Sequence, residues 1–460
     1  MTSPLRAFLP ATERALFQRI ARAQSEGRAP SLTAAVARDG EPVWTAVRPS
    51  PEGGGPGVDV QYRIGSITKT FTAVLVMRLR DEGLLDLQDP LDQYLPGTDA
   101  GKATIAQLLC HSAGLSAETP SPWWERSSAS LRPTLPDVLG GKPHKHPAGR
   151  RFHYSNPGYT VLGALIEAVR DAPWGDVFRR EILEPLAMTR TSLEPQAPCA
   201  EGWAVHPWAD VLLPEPVEDL GLMAPAGQLW STAGDLCRFA ALFTEGDERV
   251  LNAASVREMC TPSVPAEAGE WDSTYGLGLQ IIRRDGRTLV GHGGSLPGFV
   301  AGLWVGVEDG IAASVLANAT SGPLPSVVAT ELVRIVAEAE PRIPEPWRPL
   351  QEVDRDLVEL TGPWYWGTYA FGLRLLPGRV LSLAPLAGPG RRSRFTAEPD
   401  GTWMGENGYY AGETLRVVRH RDGSVRHLDL GSFVFTREPY EPEAGVPGGV
   451  DEEGWRGLSE

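Results

Sequence analysis

A serine and a lysine three residues apart are the first candidates for chemistry in this sequence. Ser66 and Lys69 follow Gly65 at the expected start of a helix, where residues three apart share one face. A serine hydroxyl becomes a nucleophile when a neighbouring base takes its proton, and burial can turn a lysine into that base. Free backbone N–H groups at a helix start can also stabilise an oxyanion. The spacing therefore predicts an activated nucleophile at Ser66.

An ordinary helix start with a surface lysine gives the same short pattern, so the spacing alone does not decide between the two interpretations. Only four residues of the chain are lysines: Lys69, Lys102, Lys142 and Lys145. Arginine supplies the other positive side chains of the protein, and the two residue types serve different purposes. The scarcity of lysine in this chain argues against an incidental lysine one turn after Ser66 and favours the chemical interpretation.

The composition argues against several classes of partner. A net charge of −15 and a pI near 5.1 disfavour binding to nucleic acid or an anionic membrane, since both require a basic surface. Residues 1–10 lack a basic segment followed by an apolar core, so we expect a cytoplasmic protein without a membrane span. The four cysteines are widely spaced, and His144 and His146 lack partner ligands, so we expect neither a metal nor another cofactor.

The elements around Ser66 combine helices with antiparallel strands. Apolar residues at helical spacing predict helices over 11–26, 104–109, 159–169, 227–243 and 327–337. Alternating apolar residues between turn signals predict strands over 32–37, 42–47, 275–282, 288–291, 299–305 and 312–316. This pattern predicts a sheet covered by helices.

Changes of composition divide the chain. We expect a domain over 1–340, a Pro-rich linker over 341–350, a small all-β domain over 351–440 and a disordered tail over 441–460. Long loops in a compact domain are often functional, and residues 116–149 and 194–220 are rich in Trp and Pro. These two loops favour an apolar or aromatic substrate group.

Two further short motifs carry polar side chains. Tyr154 and Asn156 precede a helix and face the same way, because alternate residues of an extended segment share one side. His292 lies in a glycine-rich stretch of the strand region. A Tyr-Ser-Asn turn and a structural histidine are the alternative interpretations. A rival nucleophile at Ser112 is weak, because Cys110 stands where a hydrolase elbow requires glycine.

Three motifs follow one another along the chain: Ser66-x-x-Lys69, Tyr154-x-Asn156 and His292-x-Gly294. In this order they resemble the serine β-lactamase and penicillin-binding-protein family, over residues 11–338. The resemblance implies an α/β (α+β) β-lactamase/transpeptidase-like fold, in which a helical subdomain lies beside a five-stranded antiparallel sheet with a cleft between them. The C-terminal strands resemble the small lipocalin-like domains that follow several such hydrolases.

The resemblance also implies roles for the side chains of the first two motifs. Ser66 would be the acylated nucleophile and Lys69 its partner. Tyr154 would act as a phenolate-like base and later protonate the leaving group, which requires nearby cations to lower its pKa far. Asn156 would hold Lys69 and the substrate amide.

For the third motif, the resemblance implies a role in binding the substrate backbone. The N–H groups of Ser66 and Ser295 would form the oxyanion hole. His292, with the compact Gly293 and Gly294, would let the substrate lie along the edge of the strand.

Typical β-lactamases carry Lys rather than His at the third motif, and family members with His are more often esterases, D-amino-acid peptidases, carboxypeptidases of one lineage or peptide-cyclising thioesterases. We therefore expect an enzyme, a serine hydrolase that forms an acyl-enzyme on Ser66 and cleaves an ester or peptide bond of a small molecule or peptide. The alternatives are a thioesterase or transacylase that passes the acyl group to an amine, and a sensor that acylates without turnover.

Overall fold

The computed structural model describes residues 7–48, 57–127, 131–264, 272–344, 346–441 and 445. The chain divides into two compact units, the first ending at Ile343 and the second beginning at Pro344. The described helices of the first unit are α1 Pro10–Glu26, α2 Thr68–Asp81, α3 Ile105–Leu109, α4 Leu135–Leu139, α5 Asn156–Arg170, α6 Trp174–Phe178, α7 Ala224–Gly227, α8 Ala233–Glu245, α9 Ala253–Met259 and α10 Pro325–Ala339. Its described strands are β1 Leu32–Arg38, β2 Glu41–Arg48, β3 Tyr62–Arg63, β4 Trp203–Val205, β5 Leu212–Pro214, β6 Trp230–Ser231, β7 Ser273–Tyr275, β8 Gln280–Arg284, β9 Arg287–Leu296, β10 Phe299–Gly306 and β11 Ile311–Ala317.

A mixed arrangement of helices and an antiparallel sheet confirms the predicted fold class of the first unit. The main sheet has the strand order β2-β1-β11-β10-β9-β8-β7, and each neighbouring pair is antiparallel. In the described residues it has seven strands, so the expected number of five is wrong. The predicted strand over 275–282 is also wrong, because a turn around Gly278, with a φ of +83°, divides it into β7 and β8.

Both faces of the sheet are covered, because alternate side chains of each strand point to opposite sides. Ala34 and Val36 of β1 join the core formed with α1 and α10. Ala35 and Ala37 point the other way, into the core that contains α8 and the helical region. The central strands therefore read as continuous apolar runs.

Helix α2 lies inside the helical region and is buried on nearly all sides, with contacts to α5 and α7. The predicted helix over 227–243 is wrong in its first part. There, β6 pairs with β3, the strand just before Ser66, and α8 begins only after Thr232, which caps it by accepting the Asp235 N–H. Strand β6 thus fixes the segment that leads into α2.

The second unit is a small all-β domain, which confirms the predicted class. It contains α11 Arg355–Leu360 and the strands β12 Gly362–Trp366, β13 Tyr369–Leu376, β14 Val380–Pro385, β15 Ser393–Ala397, β16 Trp403–Gly405, β17 Thr414–Arg419, β18 Val425–Leu430 and β19 Phe433–Phe435. The strands follow one another in chain order, and two hydrogen bonds between Tyr365 and Thr436 nearly close the sheet into a barrel. The predicted disordered tail lies almost wholly outside the described residues. No helix in the described ranges of either unit is long and apolar enough to cross a membrane.

Candidate active site

The turn that carries Ser66 packs directly against strand β9. Residues Gly65–Ile67 form one 3-10 turn ahead of α2, and Gly65 has a φ of +51°. A Cβ atom on Gly65 would lie 2.6 Å from the backbone nitrogen of Ser295. A Cβ atom on Gly294 would lie 1.9 Å from the carbonyl oxygen of Ile64. Only glycine at both positions allows this approach, which places the Ser66 hydroxyl beside the strand edge.

Lys69 is fully buried beside Ser66. Its Nζ lies 2.9 Å from Ser66 Oγ and donates a hydrogen bond of 2.7 Å to the carbonyl oxygen of Ala226. Burial lowers the pKa of Lys69 to about 7, although the carboxylates of Glu118 and Glu125 act in the opposite direction. Near neutral pH, a large fraction of this amine is therefore uncharged and able to accept a proton.

Tyr154 differs electrostatically from the expectation. Burial raises the pKa of its hydroxyl, and the hydrogen bond with Ser66 offsets this only in part. Lys69 Nζ lies 5.0 Å from the centre of the Tyr154 ring, but burial favours the uncharged form of Lys69, so this amine does little to stabilise a phenolate. The expectation of a lowered pKa is thus wrong. Burial thus favours the protonated phenol in the free protein, which is not the form that a phenolate base requires.

Asn156 contacts a residue that the sequence did not single out. Its Nδ2 donates to Glu118 Oε1 at 2.8 Å, and no described hydrogen bond joins it to Lys69, so the expected link between those two side chains is wrong. Its Oδ1 is buried and has no hydrogen-bond partner among the described residues. Glu118 belongs to no motif. The only sequence feature that could have indicated a role for Glu118 was its position in the loop over 116–149, which was predicted to be functional.

His292 is an internal residue of β9 and is only 2% exposed. Its Nδ1 lies 2.5 Å from the Gly293 carbonyl oxygen and its Nε2 3.0 Å from the Tyr275 hydroxyl oxygen. Burial, with a contribution from Lys69, lowers the pKa of His292 to about 3. The ring is therefore neutral, with Nδ1–H donating to the carbonyl and Nε2 accepting from Tyr275. The motif presents no cation at this place.

A second histidine, His111, supports the Tyr154 motif and was missed as a contributor to the site. Its Nδ1 accepts the backbone N–H of Ser155 at 3.0 Å, and its ring centre lies 4.3 Å from that of Tyr154. Burial holds the pKa of His111 well below its ordinary value, so the ring is neutral. It fixes the extended segment that presents Tyr154.

The site opens into a cavity of about 540 Å³ that extends along β9. No Asp, Glu, Lys or Arg is among its described lining residues, which are Ser66, Tyr154, Gln280, His292, Gly293, Gly294, Ser295, Val300, Ala301, Pro323, Leu324, Pro325, Ser326 and Val327. Six of the eight predicted site residues line this cavity, and Lys69 joins them through its contact with Ser66. Asn156 lies outside this lining. Among the described residues, no group of three His, Cys, Asp or Glu side chains is placed to hold a metal ion.

Helices and an antiparallel sheet around a serine that contacts a buried lysine are the arrangement of the serine hydrolase family that includes β-lactamases and penicillin-binding proteins. Comparison with protein families agrees with this class. The family model described as Beta-lactamase matches residues 16–338, and the chain belongs to that family. A second model, described as a domain of unknown function (DUF7586), matches residues 353–437.

Individual relatives cover different parts of the chain. The chain is 28% identical to "Beta-lactamase-like protein 2" of Dictyostelium discoideum over 55% of its own length, and it spans about half (49%) of that relative. A D-stereospecific amidohydrolase from Streptomyces sp. is 27% identical over 71% of this chain and 97% of its own, with a TM-score of 0.58. An octameric penicillin-binding protein homologue from Pyrococcus abyssi, 22% identical, shares the fold over 92% of this chain and 99% of its own, with a TM-score of 0.62.

Proposed function

We propose that this protein is a hydrolase that forms an acyl-enzyme on Ser66 and cleaves an amide or ester with an uncharged leaving group. The observation that carries the proposal is the buried Lys69 amine, 2.9 Å from Ser66 Oγ with a pKa lowered to about 7. A neutral amine at hydrogen-bond distance from a hydroxyl is the arrangement that general-base activation of a nucleophile requires.

The first half of the reaction forms a bond between Ser66 Oγ and the substrate carbonyl carbon. Lys69 accepts the hydroxyl proton as the bond forms, and the backbone N–H groups of Ser66 and Ser295 stabilise the oxyanion. The bond to the leaving group then breaks. Tyr154 donates its proton to the departing nitrogen or oxygen and is reprotonated from Lys69, which returns Lys69 to its neutral state.

The second half of the reaction replaces the leaving group with water. Lys69 accepts a proton from the water as its oxygen bonds to the acyl carbon, and the bond from that carbon to Ser66 Oγ then breaks as Lys69 returns the proton to Ser66 Oγ. An amine in place of water would give acyl transfer with the same residues. Analysis of the products therefore decides between hydrolysis and the thioesterase or transacylase alternative.

The cavity along β9 argues for an uncharged leaving group. Tyr154 lines this cavity, so the group that it protonates must lie there. A substrate carboxylate at this place would lack a cationic partner, because His292 is neutral and no lysine or arginine is among the described lining residues. Unpaired charge in a cleft is costly. The likeness to a D-stereospecific amidohydrolase supports an amide of a D-amino acid as the first substrate to test.

The test uses a fluorophosphonate, which phosphonylates activated serines, with intact-protein mass spectrometry. We expect one adduct on the wild-type chain and none on Ser66→Ala. Ser112→Ala is the matched control, because Ser112 lies in the rival motif, and it should still react. An adduct that persists in Ser66→Ala and disappears in Ser112→Ala would overturn the proposal. Product analysis with D-phenylalaninamide, with and without an added amine, distinguishes hydrolysis from transfer, whereas a stable adduct without product would indicate a sensor.

A further inference from the structure

Two threonines of helix α2 hold a backbone turn that lies beside the active site. The turn comprises residues 225–229, which run from α7 to the start of β6. Thr72 Oγ1 donates a hydrogen bond of 2.8 Å to the Pro225 carbonyl oxygen, and it lies 3.5 Å from the Thr68 carbonyl oxygen of its own helix. Thr68 Oγ1 accepts a hydrogen bond of 3.3 Å from the Leu229 N–H. Both threonines are fully buried, so these bonds are shielded from water.

The carbonyl oxygen of Ala226, in the same turn, is the acceptor that orients Lys69. A neutral amine has two N–H groups and one lone pair. One N–H of Lys69 donates to Ala226 at 2.7 Å, and Ser66 Oγ lies 2.9 Å from the nitrogen. With an N–H directed at the carbonyl, the lone pair can face the serine hydroxyl, as a general base requires. A displaced carbonyl would turn the lone pair away from that hydroxyl.

We infer that Thr72 is a positioning residue for Lys69, because its hydroxyl fixes the peptide group that precedes Ala226. The Pro225 carbonyl and the Ala226 nitrogen belong to one planar unit, so a bond to the former restrains the latter. The restraint matters because the turn borders a cavity of about 270 Å³, whose lining includes Pro225 and Gln228, and so has room to move. The inference rests on the proposed function of Ser66 and Lys69.

The groups that face Lys69 are separate from Thr72, which carries no charge. They are the carboxylates of Glu118 and Glu125, the phenol rings of Tyr154 and Tyr159, and the imidazoles of His111 and His292. Replacing Thr72 by valine changes none of these charges and nearly keeps the shape of the side chain. A hydrogen bond to a carbonyl favours the protonated form of an amine, so a displaced Ala226 carbonyl lowers the pKa of Lys69.

Lysine-selective NMR of the full chain tests the inference without turnover. The chain has four lysines, so labelling lysine Cε with ¹³C gives four signals, and Lys69→Met identifies that of Lys69. We expect the midpoint of the Lys69 titration to lie about 0.5 pH unit or more lower in Thr72→Val than in the wild-type chain, since a hydrogen bond to a charged group is weakened. An unchanged or higher midpoint would overturn the inference.

Restoring the hydroxyl separates positioning from packing. Thr72→Ser should keep the wild-type midpoint and most of kcat/KM for a nitrophenyl ester, whereas Thr72→Val should lower kcat/KM about tenfold or more. Equal losses in both variants would contradict a role for the hydroxyl. If Thr72→Val does not fold, Thr72→Ala takes its place in the comparison with Thr72→Ser.

The matched control is Thr70→Val, which removes a hydroxyl from another fully buried threonine of α2. Thr70 Oγ1 donates to the Ile67 carbonyl oxygen, one turn back along the chain, so its loss should leave the Lys69 midpoint unchanged. An equal shift in Thr70→Val would refute a specific role for Thr72. A wild-type chain without a fluorophosphonate adduct would refute the proposed function alone, because the titration reports the state of Lys69 separately.

Discussion

Two opposing influences set the protonation of Lys69, the residue on which the proposed chemistry depends. Burial favours the neutral amine, and the carboxylates of Glu118 and Glu125 favour the charged one. The balance leaves a pKa of about 7. For a neutral nitrophenyl ester, we therefore expect kcat/KM to rise with pH and to reach half its plateau near pH 7, because activity requires deprotonated Lys69. Tyr154 and His292 do not titrate between pH 5 and 9, so we expect no second pH-dependent step in the rate profile.

A rate profile over pH 5 to 9 measures this dependence, with Ser66→Ala as the blank. A flat profile, or activity that falls as the pH rises through 7, would contradict a lysine base. Lys69→Met should abolish the turnover, whereas Lys102→Met removes an exposed lysine and should leave the profile unchanged.

Tyr154 has a separate role that its raised pKa supports, because a protonated phenol is a proton donor. Amides need protonation of the leaving nitrogen, whereas nitrophenolate departs without it. We expect Tyr154→Phe to lower kcat by about 100-fold for D-phenylalaninamide and by less than about tenfold for a nitrophenyl ester. Steady-state kinetics on both substrates measures the difference, and equal losses would contradict the assignment of Tyr154 as general acid.

At the scale of single residues, the sequence predicted which side chains come together better than it predicted their protonation states. Spacing placed Ser66 and Lys69 on one helix face, because helix geometry is local. The protonation states of Tyr154 and His292 depend on burial, which elements distant in the chain create. Glu118 reaches Asn156 across 38 residues, and no local pattern reports such a contact.

At the scale of elements, the close approach of β9 to the Ser66 turn orders the site. We expect Gly294→Ala to lower the free energy of unfolding by about 1–3 kcal/mol and to reduce kcat/KM strongly, because its Cβ would meet the Ile64 carbonyl oxygen at 1.9 Å. Denaturant unfolding and ester kinetics measure both effects. Gly141→Ala, where nothing lies within 4 Å of the new Cβ, is the control and should change neither. A fully active Gly294→Ala would contradict the close packing.

The strands that the sequence predicted least well are those that depend on a distant partner. The apolar runs of β1 and β10 were predicted well, because both strands are long and buried. The two residues of β6 carry no pattern of their own and form a strand only because β3 pairs with them. Similarly, the turn at Gly278 reverses a continuous apolar run, so one predicted strand became β7 and β8. Tertiary pairing overrides local propensity at these places.

At the scale of the whole molecule, the described residues of each unit form hydrophobic cores of their own. Trp364 is fully buried in the core of the second unit. We expect Trp364→Ala to lower one transition in differential scanning calorimetry by several degrees while the other transition stays in place, because large-to-small changes in a core cost about 3–5 kcal/mol. Trp366→Ala, at a side chain that is 44% exposed, is the control and should shift neither strongly. Equal shifts of both transitions would indicate that the cores unfold together.

The most direct test of the account is to find the acyl group on the protein. The wild-type chain is mixed with a nitrophenyl ester at pH 7, quenched with acid within seconds, digested with trypsin and analysed by mass spectrometry. We predict that the acyl mass appears on the peptide of residues 64–69, which contains Ser66 and ends at Lys69. In Lys69→Met, where the corresponding tryptic peptide covers residues 64–78, we predict no acyl mass on that peptide. Ester turnover without acylation of that peptide, or acylation at another residue, would contradict the account.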